Sequence, residues 1–214
     1  MPTDTIQLRP RKERKENADR RRRQLLDATR RSIVNNGLRR TTLASVAAEA
    51  GLSPGVAVFY FQTKSALLTE ALRDLYATYE RNWNRLLAAA GDHPIDRLVA
   101  LIDAEFDPKV CNNEFISVWF AFWGEKELVV AQGDELTAFD KRVEKVGLKI
   151  LEELLPGEPE RAKDLSSWIE TMLAGQWLLL HTDPDSHSSS SREMVLQFLA
   201  TQIPEHRDAI LSRA

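Results

Sequence analysis

Residues 41–72 read "TTLASVAAEAGLSPGVAVFYFQTKSALLTEAL", and the reading of the whole chain works outward from them. Thr41 and Thr42 are both suited to cap a short helix, "LASVAAEA", with Leu43, Val46, Ala47 and Ala50 on one face. Ala47, Ala48 and Ala50 are small enough to let a second helix come close. Gly51 follows and permits a tight turn, because glycine takes a left-handed backbone without strain. Ser53 suits the cap and Pro54 the first position of another short helix over residues 54–60. A helix of that length is not stable by itself. It must lie against its neighbours and present an outer face. Two short helices joined by "AGLS" spell a helix-turn-helix. An ordinary corner between two helices of a bundle fits the same spacing.

Charge separates those readings. The net charge of −3 is split, because residues 1–64 hold 14 Lys/Arg against 6 Asp/Glu and the remainder hold 15 against 26. A basic head on an acidic body points to a polyanion as partner of the head. A helix that reads a groove needs such phosphate-neutralising neighbours. The run "RPRKERKENADRRRR" from Arg9 to Arg23 has two readings, a flexible arm over residues 1–19 or a solvated helix start.

Composition excludes several classes. With 43% apolar and 29% charged residues in 214, the chain can bury a real core and is not a disordered tail. Cys111, the one cysteine, excludes a disulfide framework and a zinc ribbon and fits a reducing compartment. The longest apolar runs, such as Val118 to Trp123, are far short of the roughly 20 residues of a spanning helix. No apolar leader follows the charged start, so a cytoplasmic protein without membrane contact is expected.

Helical periodicity continues on both sides of the motif. Leu25, Leu26, Thr29, Ile33 and Val34 recur at helical spacing and Gly37 suits a C-terminal cap. Thr63 starts a long helix to about Ala90. Later helices are predicted over Pro94–Phe106, Val110–Glu125, Ala131–Leu155, Pro159–His181 and Ser191–Gln202, with a short tail after Pro204. No convincing alternating strand is present, so the fold class is all-α. The predicted domains are a basic flexible arm (1–19), a helix-turn-helix DNA-binding domain (20–64), a ligand-binding and dimerisation domain (65–203) and a C-terminal tail (204–214).

Catalytic and metal chemistry find no candidates. His93, His181, His187 and His206 lie far apart, no zinc spacing occurs, and the nine glycines form no phosphate loop. Cys111 reads as a packed residue, and the pairs Glu105/Asp107 and Glu125/Glu127 read as acidic surface. The chain is therefore expected to be neither enzyme nor cofactor protein. Trp119, Phe122 and Trp123, with Trp177 further on, are either plain core or an aromatic cage for an organic cation. Tyr76, Tyr79 and Trp83 mark one face of the long fourth helix, where they pack or relay the ligand state. Leu165, Trp168, Ile169, Met172 and Leu173 on one late helix, and Met194, Val195, Phe198 and Leu199 on the next, make faces wide enough for a two-fold four-helix bundle. A homodimer is expected from them.

The motif at 41–72, ending in Tyr60, Phe61 and Lys64, resembles the TetR-type transcriptional regulators. "RRRQLLDAT" at 21–29, "VWFAFWGE" at 118–125 and "AGQWLLL" at 174–180 resemble the BetI-like branch of that family. The resemblance implies a dimeric repressor that holds a palindromic DNA operator and releases it when a small-molecule effector binds the body. It implies DNA contacts from Thr42, Ser53, Gly55, Val56 and Tyr60, and a phosphate contact from Lys64. It favours a choline-like cation or a polyamine as ligand. A regulator of efflux or polyamine genes with a different, apolar ligand is the alternative. Two positions depart from the pattern. Val58 stands where many relatives have a backbone-contacting tyrosine, and Ala174 stands where the branch often has an aspartate. Val56 and Val58 are suited to pack on thymine methyl groups.

Overall fold

The computed structural model describes residues 11–125, 133–183 and 185–213, and its regular structure there is wholly helical. The helices are α1 (Arg11–Asn36), α2 (Leu43–Glu49), α3 (Pro54–Phe61), α4 (Lys64–Ala89), α5 (Pro94–Phe106), α6 (Asn113–Trp123), α7 (Gly133–Leu154), α8 (Pro159–Thr182), α9 (Ser188–Gln202) and α10 (Arg207–Leu211). The chain divides into two compact units between Ala71 and Leu72, within α4, where the sequence reading puts the boundary after Lys64. No single helix among the described residues is long and apolar enough to cross a membrane.

In the first unit, α1 begins at Arg11, so residues 11–19 of the expected flexible arm are helical, while residues 1–10 lie outside the described residues. Straight-chain Arg, Lys and Glu favour the helix. Local pairs add to it, such as Arg20 Nη2 donating to Asn17 Oδ1 at 2.9 Å. Apolar burial begins only at Leu25 and Leu26 and continues through Ala28 and Ile33. Gly37, at φ 76°, ends α1. Thr42 and Ser45 form a reciprocal cap on α2: the Ser45 N–H donates to Thr42 Oγ1 at 3.0 Å and the Thr42 N–H to Ser45 Oγ at 2.8 Å. Thr41 does not cap. It is fully buried, and its hydroxyl donates to the Gly37 carbonyl at 3.0 Å.

Gly51 makes the α2–α3 turn at φ 65°. Helix α3 turns Ala57 and Phe61 inward. Its exit is strained: Gln62 has φ 59° and ψ −48°, and the Thr63 N–H donates to the Phe61 carbonyl at 2.6 Å, which is a γ-turn of the rare hand. Thr63 then caps α4, accepting from the Ala66 N–H at 3.1 Å.

The second unit is built on Ile95, Leu98 and Ile102 of α5, Ile150 and Leu151 of α7, Leu165 of α8 and Val195, Leu196 and Leu199 of α9, all at 3% exposure or less. Several boundaries move. Residues 107–111 form a turn in which the Val110 and Cys111 N–H groups both donate to the Asp107 carbonyl, so α6 starts after the cap Asn112. The predicted start of α7 at Ala131 lies outside the described residues. Helix α9 starts at Ser188, earlier than predicted. The tail is not loose. Ile203 and Ile210 are fully buried, and the Arg192 guanidinium pairs with Asp103 and donates to the Arg213 carbonyl at 2.6 Å.

Candidate functional site

Two features stand out, one in each unit. In the first, α3 presents an outer face. Gly55, Val58 and Phe59 are exposed, Val56 and Tyr60 are half-buried, and Phe59 is open to 78%. Thr42 is exposed while its hydroxyl caps α2, and Ser53 stands at the start of α3 but makes no capping bond. The Lys64 ammonium donates to the Arg39 carbonyl at 2.7 Å, which leaves two of its three donors for an anion. Sequence reasoning missed Phe59. Its signal was an aromatic at 59, two residues from the inward Ala57 and Phe61 on a short helix.

In the second unit a cavity of about 320 Å³ is lined by Tyr79, Glu105, Trp119, Phe120, Trp123 and Trp177, with Glu144, Glu170 and Lys141 among the charged wall residues. Cavities of this size take small ligands. The rings meet at angles suited to their quadrupoles: Trp119 and Trp177 are 5.6 Å apart at 76°, and Tyr79 and Trp177 are 6.1 Å apart at 86°. Trp177 is held from behind, because its Nε1 donates to the Glu105 carbonyl at 3.0 Å. The Tyr79 hydroxyl donates to Glu105 Oε1. Burial pushes the Glu105 carboxyl up to about 7, partly offset by the Tyr79 hydrogen bond. Burial, and then nearby Glu144, also raise Glu170. The Cys111 thiol is pushed up to about 11, first by burial and then by Glu105, so it is neutral at physiological pH and no nucleophile.

Three sequence assignments are corrected by this geometry. Glu105 is not surface: it follows Ile102 by three residues on the apolar face of α5 and lines the cavity, whereas Asp107 pairs with Arg85. Phe122 is 1% exposed and belongs to the packing. Phe120, one turn from Trp123 in ring contact at 5.7 Å, takes its place in the wall. Of the residues expected at a dimer seam, Leu165, Ile169, Val195 and Leu199 are 7% exposed or less because the chain's own core uses them. Met172, Leu173 and Phe198 are half-buried, and Trp168 and Met194 are about half exposed. Trp119, Trp123 and Trp177 do come together.

A presented helix of a helix-turn-helix on a basic unit, together with an aromatic cavity holding a carboxylate, defines a DNA-binding regulator with a small-molecule pocket. The family model of bacterial regulatory proteins of the tetR family matches residues 25–71, and that of the BetI-type transcriptional repressor C-terminal region matches residues 94–204. The chain belongs to this family, in its BetI-type branch, and is a ligand-responsive, DNA-binding transcriptional repressor. The HTH-type transcriptional regulator BetI of Burkholderia thailandensis is 37% identical over 168 residues, covering 74% of this chain and 80% of that one. BetI of Stenotrophomonas maltophilia is 39% identical over 103 residues, 48% of this chain and 53% of its own. In fold, the chain is similar to a regulator from Pseudomonas aeruginosa (TM-score 0.68, 18% identity, covering 90% of this chain and 94% of that one). A regulator from Saccharomonospora viridis, solved in complex with choline, has a TM-score of 0.67 at 19% identity and covers 85% of this chain and 96% of its own.

Proposed function

We propose that this repressor works in the cytoplasm as a homodimer on a palindromic operator, catalyses no reaction, and leaves DNA when a small organic cation enters the cavity of its second unit. Thr42, Ser53, Gly55, Val56, Tyr60 and Lys64 are the proposed DNA contacts. The observation that carries the ligand reading is Glu105: a carboxylate on an aromatic wall, with the Tyr79 hydroxyl on one oxygen. A desolvated cation over a tryptophan face gains about 2 kcal/mol, and an ionised Glu105 supplies the counter-charge. The choline held by the Saccharomonospora viridis relative supports a cation of that size. Coupling of about 1–3 kcal/mol between ligand and DNA weakens the operator complex roughly 5- to 150-fold. The ligand must favour the DNA-incompetent form, or it shifts nothing.

The test compares choline with its neutral isostere 3,3-dimethylbutanol, and with spermidine, by tryptophan fluorescence and by gel shift on the DNA upstream of the gene. Choline or spermidine is expected to quench the fluorescence and release the DNA, and the neutral isostere to do neither. Glu105→Gln is expected to lose the response while binding DNA as before. Equal responses to choline and its isostere would establish an apolar pocket instead.

A further inference from the structure

The exposed residues of α3, Pro54, Gly55, Val58 and Phe59, carry no side chain that hydrogen-bonds. Ala57 and Phe61 point inward at 3% exposure or less, and the opposite side carries Gly55, Val58 (49% exposed) and Phe59 (78% exposed). Phe59 is the most exposed of the large apolar side chains among the described residues, and its ring stands edge-on to Tyr60, with centroids 5.2 Å apart at 87°. Gly55 precedes it by one turn. Neither a positive φ nor an internal neighbour demands glycine there, since a Cβ at that position would meet nothing within 4 Å. The first turn of α3 is therefore smooth toward whatever lies outside.

We infer that Phe59, with Val58, is the specificity-determining pair of this repressor and reads thymine through its 5-methyl group in the major groove. The inference rests on α3 being the helix that meets DNA. The occupant follows from charge and chemistry. Arg39 and Arg40 are exposed, Lys64 keeps two ammonium donors, and the first 64 residues are net positive, which suits a phosphate backbone as the neighbour of an apolar strip. Purine edges in the major groove are read by paired hydrogen bonds from Arg, Lys, Asn or Gln, and Gly55, Val56, Val58 and Phe59 offer none. The base-edge feature that an apolar side chain does distinguish is the thymine methyl. Gly55 lets the backbone approach closely enough for Phe59 to reach the groove floor. Specificity is thus carried by methyl contacts, while phosphate contacts hold the helix in register.

Replacing operator thymines by deoxyuridine, one position at a time in both half-sites, removes the methyl and keeps the base pair. The full-length protein is expected to lose about fourfold per methyl at one or two positions of each half-site, the factor for one methyl-sized apolar contact. Phe59→Ala is expected to lose the methyl discrimination at the position that Phe59 reads, and Phe59→Leu to keep part of it. Phe59→Ala should leave the salt slope of binding unchanged, whereas Lys64→Ala flattens it by about 0.9, the share of one neutralised phosphate. Indifference of the wild type to every methyl, or full methyl discrimination by Phe59→Ala, overturns the inference. If Lys64→Ala and Tyr60→Ala weaken binding but no methyl matters, only the readout falls. If no substitution at Phe59, Tyr60 or Lys64 changes operator affinity, α3 is not the DNA helix and the broader reading falls with it.

Discussion

Glu105 sits three residues after Ile102 on the core face of α5, and its carboxylate finds one hydroxyl donor there. Burial disfavours the charged form and raises the carboxyl to about 7. Two consequences carry opposite signs. A cation prefers the ionised carboxylate, so its affinity should rise as pH increases through 7 and fall up to tenfold per unit below it. Stability runs the other way. Between the ordinary glutamate value near 4.3 and about 7 the folded state holds more protons than the unfolded one, so folding loses free energy as pH rises through that window. Glu105→Gln removes both effects. It is expected to flatten the pH profile of cation binding measured by calorimetry. It is also expected to raise stability at pH 8, on the order of 2 kcal/mol, while changing it little at pH 4. A wild-type affinity independent of pH from 6 to 8 would show that no titration of Glu105 in that range is coupled to the ligand.

Helices α2 and α3 are 7 and 8 residues long, too short to persist without caps and neighbours. The reciprocal bonds of Thr42 and Ser45 satisfy two backbone donors at the start of α2. Thr42→Ala should cost about 1 kcal/mol, which lowers Tm by roughly 2–4 °C in a chain of this size, whereas Thr42→Ser keeps the cap. Thermal unfolding followed by circular dichroism distinguishes the two, and an Ala variant as stable as the Ser variant would mean that the cap contributes nothing. Helix α3 has no side-chain cap at Ser53. It is held by Ala57 and Phe61 from within and by the γ-turn at Gln62, so its orientation depends on packing rather than on its own ends.

Across the second unit, the late helices leave an apolar strip uncovered. Trp168 and Leu179 are eleven residues apart, about three turns on one side of α8, and with Leu178 and Met194 they are 48–52% exposed. Leaving that much apolar surface in water is unfavourable, and a two-fold copy of the same strip would remove it. Leu179→Glu together with Met194→Glu is expected to give a folded monomer with unchanged helical signal and much weaker hold on a palindrome. Sedimentation equilibrium at micromolar concentration is the check, and a monomeric wild type would sink the dimer. The same charge at Leu165 or Val195 should instead unfold the chain, because those side chains lie in its own core.

The features legible in the chain alone were local or additive. Thr42, Gly51 and Pro54 act within a few residues of their own positions, so the helix-turn-helix could be read from them. Periodicity located the later helices, and summed charge separated a basic head from an acidic body. Residues 118–125 and 174–180 already pointed to the branch through resemblance. Which way each helix turns emerged only from the packing. Tryptophans at helical spacing look alike whether they end in a core, a cavity wall or the surface, yet Trp177 is 4% exposed, Trp123 is 58% exposed, and buried Phe122 yields the wall to Phe120. Leu165 and Trp168 belong to one apolar pattern, but the core buries the first and leaves the second half exposed. Glu105 reads as surface until Tyr79, 26 residues away in the chain, supplies its hydroxyl. Burial is a property of which elements meet, and meeting is set by non-local packing, which no single stretch of chain encodes.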